Sequence, residues 1–147
     1  MEHTSLQYII EGAPDYAFID VKLPQDTIIK VEASSMATMD TNIEMKTKFK
    51  GGLSRFLTGE SIFINEFKTK NGSGRIGIAP SMPGDIKHVY LDGNQAIFLQ
   101  NSGFLASSTD VVVESKFQGL MKGFFSGEGL FLIKCSGRGD LFFNSYG

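Results

Sequence analysis

Alternation with a period of two constrains this chain more than any other feature. Ala17, Ile19, Val21 and Leu23 fall on one side of an extended segment, with Tyr16, Phe18, Asp20 and Lys22 on the other. Successive side chains of a strand point to opposite faces, so this pattern specifies a ribbon with one buried face. Ile43, Met45, Thr47 and Phe49 alternate in the same way with Glu44, Lys46, Lys48 and Lys50. Further strands are expected at 6–11, 27–32, 62–69, 75–79, 86–91, 96–100, 109–114, 129–135 and 140–145. Turn signals stand between them: Gly12-Ala13-Pro14-Asp15, Pro24-Gln25-Asp26, Asn71-Gly72-Ser73-Gly74, Pro83-Gly84, Asp92-Gly93-Asn94, Asn101-Ser102-Gly103 and Ser136-Gly137-Arg138-Gly139. Short strands at this spacing, with Gly, Pro, Asn and Asp between them, predict an all-β sandwich or barrel. Strands do not alternate with helical segments, which argues against a parallel α/β sheet.

Two segments break the rhythm. In 51–60, Leu53, Phe56 and Leu57 have helical spacing. In 116–125, Phe117, Leu120, Met121, Phe124 and Phe125 follow the same pattern. One or two short helical turns are expected there, although Gly119 and Gly123 each weaken a helix by about 1 kcal/mol relative to Ala. The five apolar side chains of 116–125 are too many to leave in water. Two burials are open to them, the chain's own core or a contact between subunits, since interfaces favour Phe and Met.

A chain of 147 residues fits one domain, here residues 1–147. Its net charge of −2 supplies no global attraction to nucleic acid. Cys135 is the sole cysteine, which excludes an intrachain disulfide and a CxxC zinc site. The start, Met1-Glu2-His3-Thr4-Ser5, reads neither as a secretory signal nor as a transit peptide, and a cytoplasmic location is expected. No apolar run exceeds the length of Leu130-Phe131-Leu132-Ile133. A membrane-spanning helix needs about 18 such residues.

Reactive groups are sparse. Gly72-Ser73-Gly74-Arg75-Ile76-Gly77 matches GxGxxG, but a strand and Pro80 follow it. The dinucleotide site requires a helix there, so a hairpin turn is the expected reading. His3 and His88 are too few to build a metal cluster. Cys135 shares its parity with Phe131 and Ile133 and is expected in the core, where a thiol is inert. A pairing of Cys135 with His88 as nucleophile and base has no evident activating group. Lys46, Lys48 and Lys50, with Arg55 beyond, are either a solvated face or a stripe for phosphate or an anionic membrane surface. Glycines around 127–129 and 137–139 are expected to serve sharp backbone turns or close strand approach, and Glu128 and Arg138 to pair across them.

The run Lys50-Gly51-Gly52-Leu53, Arg55-Phe56 and Gly59-Glu60-Ser61-Ile62-Phe63 resembles the central signature of the altered inheritance of mitochondria protein 24 family. Ala79-Pro80-Ser81-Met82-Pro83-Gly84-Asp85-Ile86 resembles the family's proline-glycine turn, and Gly103-Phe104-Leu105-Ala106-Ser107 its next strand entry. Gly127-Glu128-Gly129-Leu130-Phe131, Gly137-Arg138-Gly139 and Ser145-Tyr146-Gly147 resemble its late glycine signature. The resemblance implies a double-stranded β-helix similar to the tryptophan RNA-binding attenuation protein fold. It also implies homo-oligomers, trimeric or trimer-based, and members with further strands beyond Ser145-Tyr146-Gly147. It supplies no catalytic constellation.

The expected protein is therefore a single all-β domain, a double-stranded β-helix or sandwich-like barrel. It is expected to self-associate as a scaffold or binding module, with Phe117, Leu120, Met121, Phe124 and Phe125 at the interface. No catalytic residue, metal or cofactor is assigned. The alternative is a small-ligand pocket, enzymatic or not, using Arg55, Glu60, Asp85, His88 and Glu128. A further alternative is peripheral membrane or phosphate binding through Lys46, Lys48, Lys50 and Arg55.

Overall fold

The computed structural model describes residues 5–47, 63–81, 83–100, 103–117 and 131–145. These residues form strands and turns, with no helix among them. Twelve strands follow one another: β1 (Gln7–Glu11), β2 (Phe18–Leu23), β3 (Ile28–Glu32), β4 (Met36–Met39), β5 (Ile43–Thr47), β6 (Ile64–Thr69), β7 (Gly74–Ile78), β8 (Asp85–Asp92), β9 (Ile97–Gln100), β10 (Phe104–Ser108), β11 (Val111–Phe117) and β12 (Phe131–Ser145). All ladders between them are antiparallel. One sheet has the order β1-β2-β7-β4; the larger runs β11-β12-β10-β3-β6-β5, with β8 and β9 also paired to β12. The arrangement is sandwich-like, and the described strands close no barrel.

The first core lies between the two sheets. Ile19, Val21 and Leu23 of β2 and Ile76 and Ile78 of β7 pack there with Ile29, Val31, Phe67 and Phe142 of the larger sheet. The alternation in β2 is fully realised, since Ala17, Ile19, Val21 and Leu23 are buried while Tyr16 and Phe18 are exposed. Each such buried Ile, Leu or Val contributes about 1.5–3 kcal/mol over its exposed state. β5 departs from its expected pattern. Ile43 is buried, but Met45 is 51% exposed on β5, which is the edge of its sheet among the described residues.

The second core holds Leu91, Phe104, Val111, Ile133, Cys135 and Leu141. It exists because the larger sheet curls on itself through β12. Residues 131–137 of that strand pair with β11, and Leu132–Cys135 also with β9. Residues 138–145 pair with β8, and Leu141–Phe143 also with β10. The expected turn at 136–139 is thus a bend inside one long strand. Gly137 and Gly139, at φ of 90° and 141°, supply it. A Cβ on Gly137 would lie 2.6 Å from the Asp110 carbonyl oxygen, and one on Gly139 2.8 Å from Ser108 Cβ. Close strand approach is the reason glycine stands at both positions.

Two further expectations change. β11 continues through Lys116 and Phe117, whose backbones pair with Leu132 and Phe131, so no helix begins at Lys116. The other residues of 116–125, and those of 51–60, lie outside the described residues. The GxGxxG run opens no helix, but the expected hairpin is not formed either: Asn71 and Gly72, at positive φ, carry the chain from β6 in the larger sheet to β7 in the smaller one, with Gly74 opening β7.

Candidate functional site

The densest polar constellation gathers around Asp140, which is 1% exposed. Its position on β12 shares parity with Phe142, so the backbone aims its carboxylate at the inter-sheet core. Oδ1 accepts from Ser5 Oγ at 2.5 Å and from His88 Nε2 at 2.7 Å. Oδ2 accepts from the Leu6 backbone N–H at 2.9 Å and from Ser108 Oγ at 3.2 Å. The Asp140 N–H returns a bond to Ser108 Oγ at 2.9 Å. A carboxylate only accepts, so the proton on Nε2 belongs to His88. The imidazole is itself packed between rings: its centroid lies 4.5 Å from Tyr8 and 4.9 Å from Phe142, and Tyr8 meets Phe142 edge-on at 5.0 Å.

Burial alone would raise the Asp140 pKa. Hydrogen bonds from His88, Ser5 and the Leu6 amide, with the His88 charge, outweigh it and hold the carboxyl below its ordinary 3.8. A buried charge is tolerable only when its lone pairs are filled this way. The chemistry is that of a fastening. A nucleophilic triad needs a hydroxyl donating to the imidazole and the imidazole oriented by the acid. Here both hydroxyls donate to the carboxylate, as the imidazole does.

Of the five residues expected to line a ligand pocket, His88 belongs to this cluster. Asp85 stands three positions earlier on β8, on the opposite face, where it pairs with Lys87 at 3.1 Å. That bond and the Ile86 N–H lower its pKa. The structure does not bring Asp85 and His88 together. Arg55, Glu60 and Glu128 lie outside the described residues, so the expected Glu128–Arg138 pair is not described. Arg138 Nη2 donates to the Asp92 carbonyl at 3.1 Å. Cys135 sits in the second core, whereas His88 packs on Phe142 of the first, and burial pushes the Cys135 thiol up to about 12. The two do not pair.

Of the expected basic stripe, Lys46 is among the described residues. Lys48, Lys50 and Arg55 lie outside the described residues. Lys46 faces Glu66 across the ladder, Glu66 faces Lys30, and Glu44 faces Lys68. Glu44 is held below its ordinary 4.5 by a 2.6 Å bond from Lys70, with the charges of Lys70, Lys46 and Lys68 adding to it. This part of the face is a checkerboard of opposite charges, which cross-strand pairing favours. Lys30 is buried and donates from Nζ to the Val111 carbonyl at 2.8 Å.

Among the interface candidates, Phe117 has its backbone in β11, while Leu120, Met121, Phe124 and Phe125 lie outside the described residues. A different apolar surface is open. A cleft of about 530 Å³ runs past Tyr16, Phe18, Gly77, Pro80 and Pro83, with no charged side chain among the described residues that line it. Tyr16 is 75% exposed and Phe18 39%. Thr38 also lines it, and its Oγ1 lies over Gly77, 2.5 Å from where a Cβ would stand, so glycine is the residue that admits the hydroxyl there. Met39, on β4, which is an edge strand among the described residues, is also exposed.

Sequence reasoning missed Asp140, Ser5 and Ser108. The available signal was a carboxylate at an inward position of an expected strand, one residue before Leu141-Phe142-Phe143.

The chain is 26% identical to an uncharacterized protein of Streptococcus pyogenes serotype M6, aligned over the whole of this chain and 63% of that one. Its fold is similar to a crystal structure of a Streptococcus pyogenes protein, with a TM-score of 0.78 and 24% identity, covering 97% of this chain and 65% of that one. The chain thus spans less than two thirds of the length of both. Among the described residues no helix is long and apolar enough to cross a membrane. Residues 8–147 match the family described as mitochondrial biogenesis AIM24, the one the glycine and proline signatures resemble, and the chain belongs to that family.

Proposed function

We propose that this domain acts by binding and self-association, as a scaffold or binding module, rather than by catalysis. The observation that carries the reading is the uncharged cleft beside Tyr16 and Phe18. Exposed aromatic rings beside Pro80 and Pro83 are the composition of a contact surface, not of a reaction site. The occupant we favour is a second copy of this chain. β4 is the edge of its sheet among the described residues, and it carries the exposed Met39. An apolar edge of this kind pairs readily with another chain. The apolar cluster of 116–125 supports the same reading from sequence, and the trimer implied by the family resemblance is the assembly we expect.

The test is sedimentation velocity on the full chain at micromolar concentration. The wild type is expected to sediment as an oligomer. Tyr16→Ser with Phe18→Ser is expected to shift it toward monomer with the circular dichroism of the fold retained. A monomeric wild type, or a folded double variant of unchanged mass, would overturn the proposal.

A further inference from the structure

We propose that β1 is a detachable strap, fastened to the larger sheet at Asp140 and able to open while the rest of the sandwich stays folded. Three observations converge on this. First, among the described residues β1 is an edge strand that pairs only with β2. Second, none of its side chains is fully buried: the pattern along Gln7–Glu11 alternates exposed and half-buried. β2 and β3, by contrast, each contribute three buried side chains. Segments with few buried apolar contacts open at lower free energy than core strands. Third, among the described residues the polar contacts that tie this end of the chain to the larger sheet are concentrated in one place. Ser5 Oγ and the Leu6 N–H both end on the Asp140 carboxylate, and Tyr8 lies on the His88 ring that the same carboxylate positions.

The consequence is a strap with a single fastening. With Asp140 engaged, Leu6, Tyr8 and Ile10 lie against the first core. With the fastening lost, what retains β1 among the described residues is the β2 ladder and the contacts of the half-buried Leu6, Tyr8 and Ile10. Opening would bare the β2 edge, whose backbone groups from Phe18 to Lys22 now pair with β1. An edge freed in this way is the type of surface to which another strand adds. His88 is a positioning residue in this device, and the inference stands whether or not the cleft beside Tyr16 mediates self-association.

Amide hydrogen exchange on the full chain under native conditions tests the proposal. In the wild type, β1 amides are expected to exchange faster than those of β3 and β6. Asp140→Asn removes the charge behind two or more hydrogen bonds, and β1 exchange is expected to rise roughly tenfold or more, with β3 and β6 unchanged. Ser5→Ala, at an exposed residue, is expected to act in the same direction with a smaller effect, and it serves where Asp140→Asn fails to fold. Two outcomes would overturn the idea: unchanged β1 exchange, or acceleration of β1, β3 and β6 together by the same factor.

Discussion

Replacing Gly137 by alanine tests how the two halves of β12 are joined. Gly137 has φ of 90°, a conformation L residues rarely adopt, and forcing alanine into it costs about 1–3 kcal/mol. The added Cβ would also lie 2.6 Å from the Asp110 carbonyl oxygen, where ordinary contact begins at 3.4 Å. That neighbour is backbone and cannot rotate away, so overpacking adds about 1–3 kcal/mol. The sum is about 2–6 kcal/mol, a large share of a domain's typical stability of about 5–15 kcal/mol. Gly72→Ala is the internal control. Its φ is 124°, but nothing lies within 4 Å of its Cβ, so it carries conformational strain without the clash. Urea denaturation of both variants, read as midpoint shifts at constant m, separates the two contributions. The reasoning fails if Gly137→Ala is no more destabilising than Gly72→Ala.

Two further outcomes concern titration. Cys135, with its thiol raised to about 12, should resist iodoacetamide in the native protein and react once the chain is unfolded in urea; the folded state keeps this proton while an unfolded thiol releases it near 9, so stability should fall as pH rises from 9 toward 12. Asp140 has the opposite sign: its folded pKa is depressed below 3.8, so its contribution is present above that value and lost as pH falls through the folded one, and Asp140→Asn should flatten the acid limb of stability measured by urea titration.

The fold was most legible where one face of a strand is buried and the other is wet. β2 is such a strand, and its alternation predicted each buried position. β10 was not assigned from alternation because Phe104–Ser107 is buried throughout, so the period-two signal vanishes. β4, Met-Ala-Thr-Met, has no clear polar face either. The glycines at 137 and 139 carry the composition of a turn but are used for a bend, a distinction set by where Asp110 and Ser108 pass rather than by local residues. The Asp140 cluster was invisible for a related reason. Ser5 and Asp140 are 135 positions apart, and only the stacking of β1, β8, β10 and β12 brings their atoms together. The checkerboard around Lys46 likewise depends on the β5–β6–β3 register, which the lysine spacing alone does not contain.

β12 contributes Ile133 and Cys135 to one apolar cluster and Phe142 to the other. One continuous ribbon is therefore a wall of both compartments. Loosening either compartment withdraws support from its neighbour along the same backbone. Beyond the peripheral first strand, loss of structure should be all-or-none, with intrinsic signals from both compartments fading at a single denaturant concentration.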